Sequence, residues 1–249
     1  MMPTMDANLY TQIGLDSGSL TMLGTVVHSI PEPGEYRGVL HRGDSVEAVF
    51  YVKVDKESAS AQANIDLSAL GESSSDECKC HSGHHSGAHH FVVNPRGYVV
   101  LHVSKGSGGY FVVIEKAEEN SRAKPFDSRS LQEGDLFAAT ILRPGTYSFT
   151  NLSTKAQGEV VVPYPVVGKF ANPPPAPLRI TSTRVSHEPK RIVVQAGQGM
   201  IFEPKVPSRF KIELVKADDG PSRPKAPARD GWRKPPSAVR APSKGAKTK

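Results

Sequence analysis

The sequence predicts an all-β protein. Apolar residues recur at every second position in runs of strand length, Gly-led or Pro-Gly turns separate the runs, and no stretch carries a convincing helical period longer than about two turns. With 22 Gly and 21 Pro in 249 residues, the composition suits strands joined by tight turns and irregular connections, not a helical bundle.

Residues 1–24 are polar, contain Gly and Met and show no periodicity, which predicts a flexible N-terminal arm. Residues 25–163 predict a β-sandwich domain. Gly43-Asp44 opens a run in which Val46, Ala48, Phe50, Val52 and Val54 share one face, the pattern of a half-buried strand. Residues 61–70 repeat it more weakly through Ala63, Ile65 and Leu67. The runs 98–103 and 110–114 are apolar on both faces, so they are expected in central positions, and the Gly-rich stretch 104–109 between them predicts a hairpin turn. After a charged loop, Gly134-Asp135 leads into Leu136, Phe137, Ala139 and Ile141. Pro144-Gly145 then turns into residues 146–150, and residues 158–162 supply another apolar run. Six prolines between Pro163 and Pro177 preclude a helix, and residues 164–177 read as a stiff linker. Residues 178–217 hold three short strands, too few to bury a core alone, which predicts an accessory β unit packing on the sandwich. Gly-led turns before Val46, Leu136 and Met200 echo one another, and a sandwich's need for many such turns accounts for the echo more readily than the alternative, a true duplication.

The net charge of +6 is unevenly distributed. Residues 221–249 carry nine basic groups against Asp230, while the other 220 residues hold 22 basic and 24 acidic groups. Residues 218–249 therefore read as a disordered basic tail with too little apolar surface to order itself. Such a tail suits an acidic protein or nucleic acid as partner, and Trp232 between Arg229 and Arg233 could stack on a base. The first Lys or Arg is Arg37, and residues 1–36 lack the basic and apolar regions of a secretory leader, which predicts a cytoplasmic protein. No apolar run approaches the roughly 20 residues of a membrane helix, so no membrane association is expected.

The two cysteines, Cys78 and Cys80, are too close to form a useful cross-link, and metal ligation or free thiols are expected. They open a segment, 76–90, dense in donors. Cys78, Cys80, His81, His84, His85, His89 and His90 place two thiols and five imidazoles within thirteen positions, spaced by Ser, Gly and Ala that let the backbone fold around an ion. Zinc takes four such donors tetrahedrally, Cu(I) favours thiolates, and Ni(II) or Cu(II) accepts imidazoles, so zinc or copper is the expected ion, with nickel possible. Asp76 and Glu77 add oxygen donors. The spacing matches no zinc-finger register. His89 and His90 run into Phe91-Val92-Val93, which predicts that the fold anchors them.

The run Arg143-Pro144-Gly145-Thr146-Tyr147-Ser148-Phe149-Thr150-Asn151, followed by Gly158-Glu159-Val160-Val161-Val162, resembles the closing hairpin of the cupredoxins. That family's pattern is Pro-Gly-Thr-Tyr, an aromatic, a Cys ligand and a Gly-led last strand. Glu188-Pro189-Lys190-Arg191-Ile192-Val193-Val194 and the run from Gly197-Gln198 to Phe202 are similar to its opening strands. The resemblance spans roughly a third of the chain and implies a Greek-key cupredoxin-like sandwich. Asn151 stands where the Cys ligand falls and no His or Met ligand pattern follows, so a blue-copper centre of two His and one thiolate is not expected there.

His28, His41 and His187 stand alone near strand ends and read as surface residues, and His102 as a core or edge histidine. No carboxylate pair is spaced for acid and base work, no nucleophile elbow occurs, and Gly106-Ser107-Gly108-Gly109 lacks the Lys and helix of a phosphate loop. The sequence thus predicts a non-enzymatic binder of a transition metal for storage, buffering or delivery. The alternative is a structural or interaction protein of a larger assembly, using the sandwich and the tail, with the His segment incidental.

Overall fold

The computed structural model describes residues 8–73, 89–118, 125–165 and 175–220, and they build an all-β body. A short helix α1 (Asn8–Thr11) and strand β1 (Gly14–Asp16) lead into β2 (Gly24–His28), β3 (Gly34–Arg42), β4 (Ser45–Val54) and β5 (Gln62–Asp66). Helix α2 (Leu67–Ser73) follows, then β6 (His89–Val93), β7 (Tyr98–His102), β8 (Tyr110–Lys116) and the two-residue β9 (Phe126–Asp127). The second half contains β10 (Leu136–Thr140), β11 (Gly145–Asn151), β12 (Gln157–Val162), β13 (Leu178–Ser182), β14 (His187–Glu188), β15 (Arg191–Val193), β16 (Gly199–Pro204) and β17 (Phe210–Ala217).

These strands form three sheets. One outer sheet has the order β6-β4-β3-β8-β9 and a second has β1-β17-β11-β12-β15; a seven-stranded shared sheet runs β14-β13-β16-β10-β2-β7-β5. The pairings repeat. β3 and β4 are antiparallel as are β11 and β12, and β6 joins β4 in parallel as β15 joins β12. β8 lies antiparallel to β3 as β17 does to β11. In the shared sheet β2 and β7 match β10 and β16, and the parallel pair of β5 with β7 matches that of β13 with β16. The body thus contains two modules of seven matching strands, β2–β8 and a second spanning β10–β17 in which β14 is an addition, joined where β2 pairs antiparallel with β10. Strands of 178–217 are interleaved with those of 136–162 in both sheets of the second module.

The signature of the repeat is Pro33-Gly34-Glu35-Tyr36 against Pro144-Gly145-Thr146-Tyr147. Gly34 and Gly145 take φ of 148° and 157°, a backbone that side chains with a Cβ rarely adopt. Each following tyrosine donates its hydroxyl to a carbonyl four residues back, Tyr36 to Glu32 at 2.9 Å and Tyr147 to Arg143 at 2.8 Å. The echo among the turns before Val46, Leu136 and Met200 is not the repeat, because those turns precede non-equivalent strands, β4, β10 and β16.

One contiguous core fills the space between sheets. In the second module it is aromatic: Phe202 lies 5.1 Å from Phe210, 5.4 Å from Phe149 and 5.9 Å from Phe137, ring centre to ring centre. Residues 14–24, aperiodic in sequence, are tied to this body. β1 pairs with β17, and Leu15, Leu20 and Met22 are buried. Asp16 and Arg209 form a two-pronged ion pair at 2.9 and 2.8 Å across 193 residues of chain.

Three sequence expectations are corrected. The stretch 104–109 is a crossover, not a hairpin turn, because β7 and β8 belong to different sheets. Its bonds go instead to Leu20, whose carbonyl accepts from Gly109 N–H at 2.8 Å and Tyr110 N–H at 3.1 Å. Gly108 sits so tightly on this segment that a Cβ there would lie 2.6 Å from Thr21 Cα. Val46 is 59% exposed, because the β3–β4 register skips Glu47 and this bulge turns Val46 outward opposite His41. Finally, the strand starting at residue 62 stops at Asp66, whose carboxylate accepts from Ser68 N–H at 3.0 Å and caps α2. Among the described residues no helix is long and apolar enough to cross a membrane.

Candidate functional sites

Of the seven predicted metal donors, Cys78, Cys80, His81, His84 and His85 lie outside the described residues, as do Asp76 and Glu77. His89 and His90 open β6, at the edge of the first outer sheet, where they pair with Phe50 and Tyr51 of β4. Their backbone is therefore fixed. Successive side chains of a strand point to opposite faces, so His89 projects on the Phe50 side and is part-buried. His90 projects outward, is exposed, and stacks on Tyr51 at 5.2 Å with 15° between planes. Neither can approach an ion from the same side as the other without leaving the strand. Among the described residues no group of three or more His, Cys, Asp or Glu side chains could hold a metal ion.

A second arrangement was not legible in the sequence. His28 ends β2, and its Nδ1 lies 2.6 Å from Oδ1 of Asp135 just before β10, 107 residues later. The Asp135 side chain is only 5% exposed, and its Oδ2 accepts the backbone N–H of Gln132 at 2.6 Å. The carboxylate accepts from Nδ1–H, and in the neutral ring this tautomer puts the lone pair on Nε2. The ring is held from its face as well, stacked on Phe126 at 4.0 Å. His28 is thus oriented, not isolated. It lines a cleft of about 190 Å³ whose walls include Ile30, Tyr36, Ile114 and Phe126, with Glu32 and Lys116 at its polar side. The Lys116 side chain is 18% exposed, its stem crosses Gly34, and its ammonium lies 3.4 Å from Glu118. Burial, then the charges of Glu32 and Glu118, raise the Tyr36 phenol above its ordinary pKa.

Two buried polar residues belong to the body itself. Asn151 is fully buried, and its amide nitrogen donates to Ser208 Oγ at 2.8 Å and Ser182 Oγ at 3.3 Å. Its Oδ1 accepts from the N–H groups of Ser153 at 3.1 Å and Arg209 at 3.4 Å. At the position where the family resemblance would have a metal-binding Cys, this chain has a saturated amide that pins β11 to the β16–β17 connection. His187, read from sequence as a surface residue, is 2% exposed and packs on Phe149 at 4.7 Å. Its Nε2–H donates to Ala156 O at 3.1 Å, while Nδ1 is buried with no partner. Burial lowers its pKa, and the bond to Ala156 opposes that shift.

Comparison with family models, curated proteins and solved structures found no match.

Proposed function

We propose that the protein binds a transition-metal ion without catalysis, zinc or copper in the first place and nickel as a further candidate, for storage, buffering or delivery. The observation that carries this is the density of donors in segment 76–90: Cys78 and Cys80 as thiolates, with His81, His84, His85, His89 and His90 as imidazoles. The attachment of the segment supports it. Its last two histidines, His89 and His90, are held by the ladder of β6 with β4, which gives the donor set one fixed end. His90, exposed and outward, is the better placed of the two. The fold we propose to go with it is a Greek-key cupredoxin-like sandwich; the shared strand order of the two modules and the Pro144-Gly145-Thr146-Tyr147 turn into β11 support that reading, and Asn151 in place of the family's Cys argues against its copper centre there.

The test is elemental analysis of untagged protein for Zn, Cu and Ni, repeated with Cys78 and Cys80 changed to Ser and the five loop histidines to Ala. Bound metal in the parent and none in the variant is expected. Equal, negligible metal in both would reject the reading.

A second reading, an interaction protein in a larger assembly, is favoured by the outward face of the first outer sheet. There Val39 pairs with Val49 and Val113 in one cross-strand row, beside the stacked His41–Phe111 and Tyr51–His90 pairs, and none of these side chains is fully buried.

A further inference from the structure

The repeat provides an internal control for the His28 cleft. When the two Pro-Gly-x-Tyr signatures are superposed, Ser29, Ile30, Pro31, Tyr36 and Ile114 correspond to Thr140, Ile141, Leu142, Tyr147 and Ile212, and each set lines a cleft at the same place in its module. The two clefts have been treated differently. In the second module Leu9, Leu15 and Leu23 from the N-terminal residues fill the space, leaving about 10 Å³, and the counterparts of His28 and Lys116 are Ala139 and Leu214. In the first module about 190 Å³ is open among the described residues. The chain thus closes one cleft with its own leucines and lines the other with an oriented imidazole and charged groups.

The charges indicate what the open cleft takes. Lys116 is matched by Glu118, which leaves Glu32 and the Asp135 carboxylate behind His28. His28 Nε2 is not buried and has no hydrogen-bond partner among the described residues, so it offers a lone pair to a donor. Ile30, Ile114 and Tyr36 supply apolar walls.

We propose that the cleft between β2 and β8 is a binding site for a small organic ammonium ion, whose N–H donates to His28 Nε2 and whose apolar body takes the place that leucines fill in the second module. Asp135 acts as a positioning residue that fixes the ring's tautomer and direction. The site uses none of the metal-segment residues, so it stands or falls separately from the proposed function.

Benzylamine, benzyl alcohol and benzoate share one ring and differ in charge, which makes them suitable probes. The full chain, kept in EDTA so that no amine–metal contact is read, is titrated at pH 7.5 while the imidazole nitrogens and isoleucine methyls are followed by NMR. Benzylamine is expected to shift His28 Nε2 and the Ile30 and Ile114 methyls saturably, with benzyl alcohol at least five-fold weaker and benzoate without effect. Glu32→Gln, at an exposed position where folding is not at risk, is expected to weaken benzylamine about two- to five-fold, the size of a solvent-exposed charge interaction. Saturable binding of benzoate more tightly than benzylamine, an unchanged affinity in Glu32→Gln, or no saturable shift with benzylamine would each overturn the proposal.

Discussion

Replacing His187 by Leu tests how the buried half of the second module tolerates a polar ring. The ring is 2% exposed, and its one hydrogen bond goes to Ala156 O at 3.1 Å. That carbonyl keeps a second partner, Asn151 N–H at 2.9 Å, so losing the imidazole leaves no orphan acceptor. The lost bond costs about 1 kcal/mol, while removing a buried nitrogen without a partner recovers about 1–3 kcal/mol. Leu is close in volume, so the variant is expected to be more stable than the parent by about 1 kcal/mol at pH 7.5. The pH dependence has a definite sign. Burial lowers the folded-state pKa of His187 below the unfolded value near 6.5, so the unfolded chain takes up the proton first. The histidine's share of stability is complete above about pH 6.5 and falls with pH below it, by at most about 1.4 kcal/mol per pH unit, until the folded pKa is reached. Urea denaturation of both proteins at pH 7.5 and 5.5 measures this, since the other histidines cancel in the difference. A variant less stable by 2 kcal/mol at pH 7.5, with the parent's pH slope intact, would refute the reasoning.

Other substitutions probe the remaining joints. Asn151→Ala leaves the Ser182 hydroxyl and the Ser153 and Arg209 N–H groups without partners, while the Ser208 hydroxyl keeps Val206 O, and is expected to cost about 3 kcal/mol in urea denaturation, whereas a change within 0.5 kcal/mol would show that the network contributes nothing net. Burial raises the Asp66 carboxyl's pKa, but bonds from the Ser104 and Ser68 hydroxyls and N–H groups outweigh it and bring the pKa to about 2. That stabilisation is present above the unfolded pKa near 3.8 and is lost as pH falls through about 2. After allowance for solvent screening it amounts to about 1 kcal/mol, so Asp66→Asn should flatten the stability profile between pH 4 and 2. Asp16→Ala removes the two-pronged partner of Arg209 and should lower stability by about 1–2 kcal/mol, with less effect at high salt; equal loss at all salt concentrations would assign the cost to packing.

Local pattern made much of the strand inventory legible. Phe50, Val52 and Val54 alternate and are all buried, and Pro144-Gly145 does open β11. The errors arose where long-range pairing overrides local signal. A Gly-rich stretch between two strands looks the same whether the chain turns back within a sheet or crosses to another, and only Leu20, some 90 residues earlier, decides it here. The duplication was hidden because the matching residues, Gly34 and Gly145, Tyr36 and Tyr147, Ile30 and Ile141, Ile114 and Ile212, are scattered singly along the chain and come into register only through strand pairing. The His28–Asp135 pair joins two positions that are unremarkable in sequence, a histidine at a strand end and an aspartate in a turn, and their meeting follows from β2 lying beside β10. For the donor segment the balance is reversed: its chemistry is written in composition, and of its seven donors only His89 and His90 belong to the described residues.

The most direct test of the metal reading is X-ray absorption at the zinc edge on the full chain loaded with one equivalent of zinc. Thiolate ligation by Cys78 and Cys80 predicts sulfur scatterers at about 2.3 Å together with imidazole nitrogen at about 2.0 Å. A spectrum with oxygen and nitrogen neighbours only, or zinc that washes away on desalting, would contradict it.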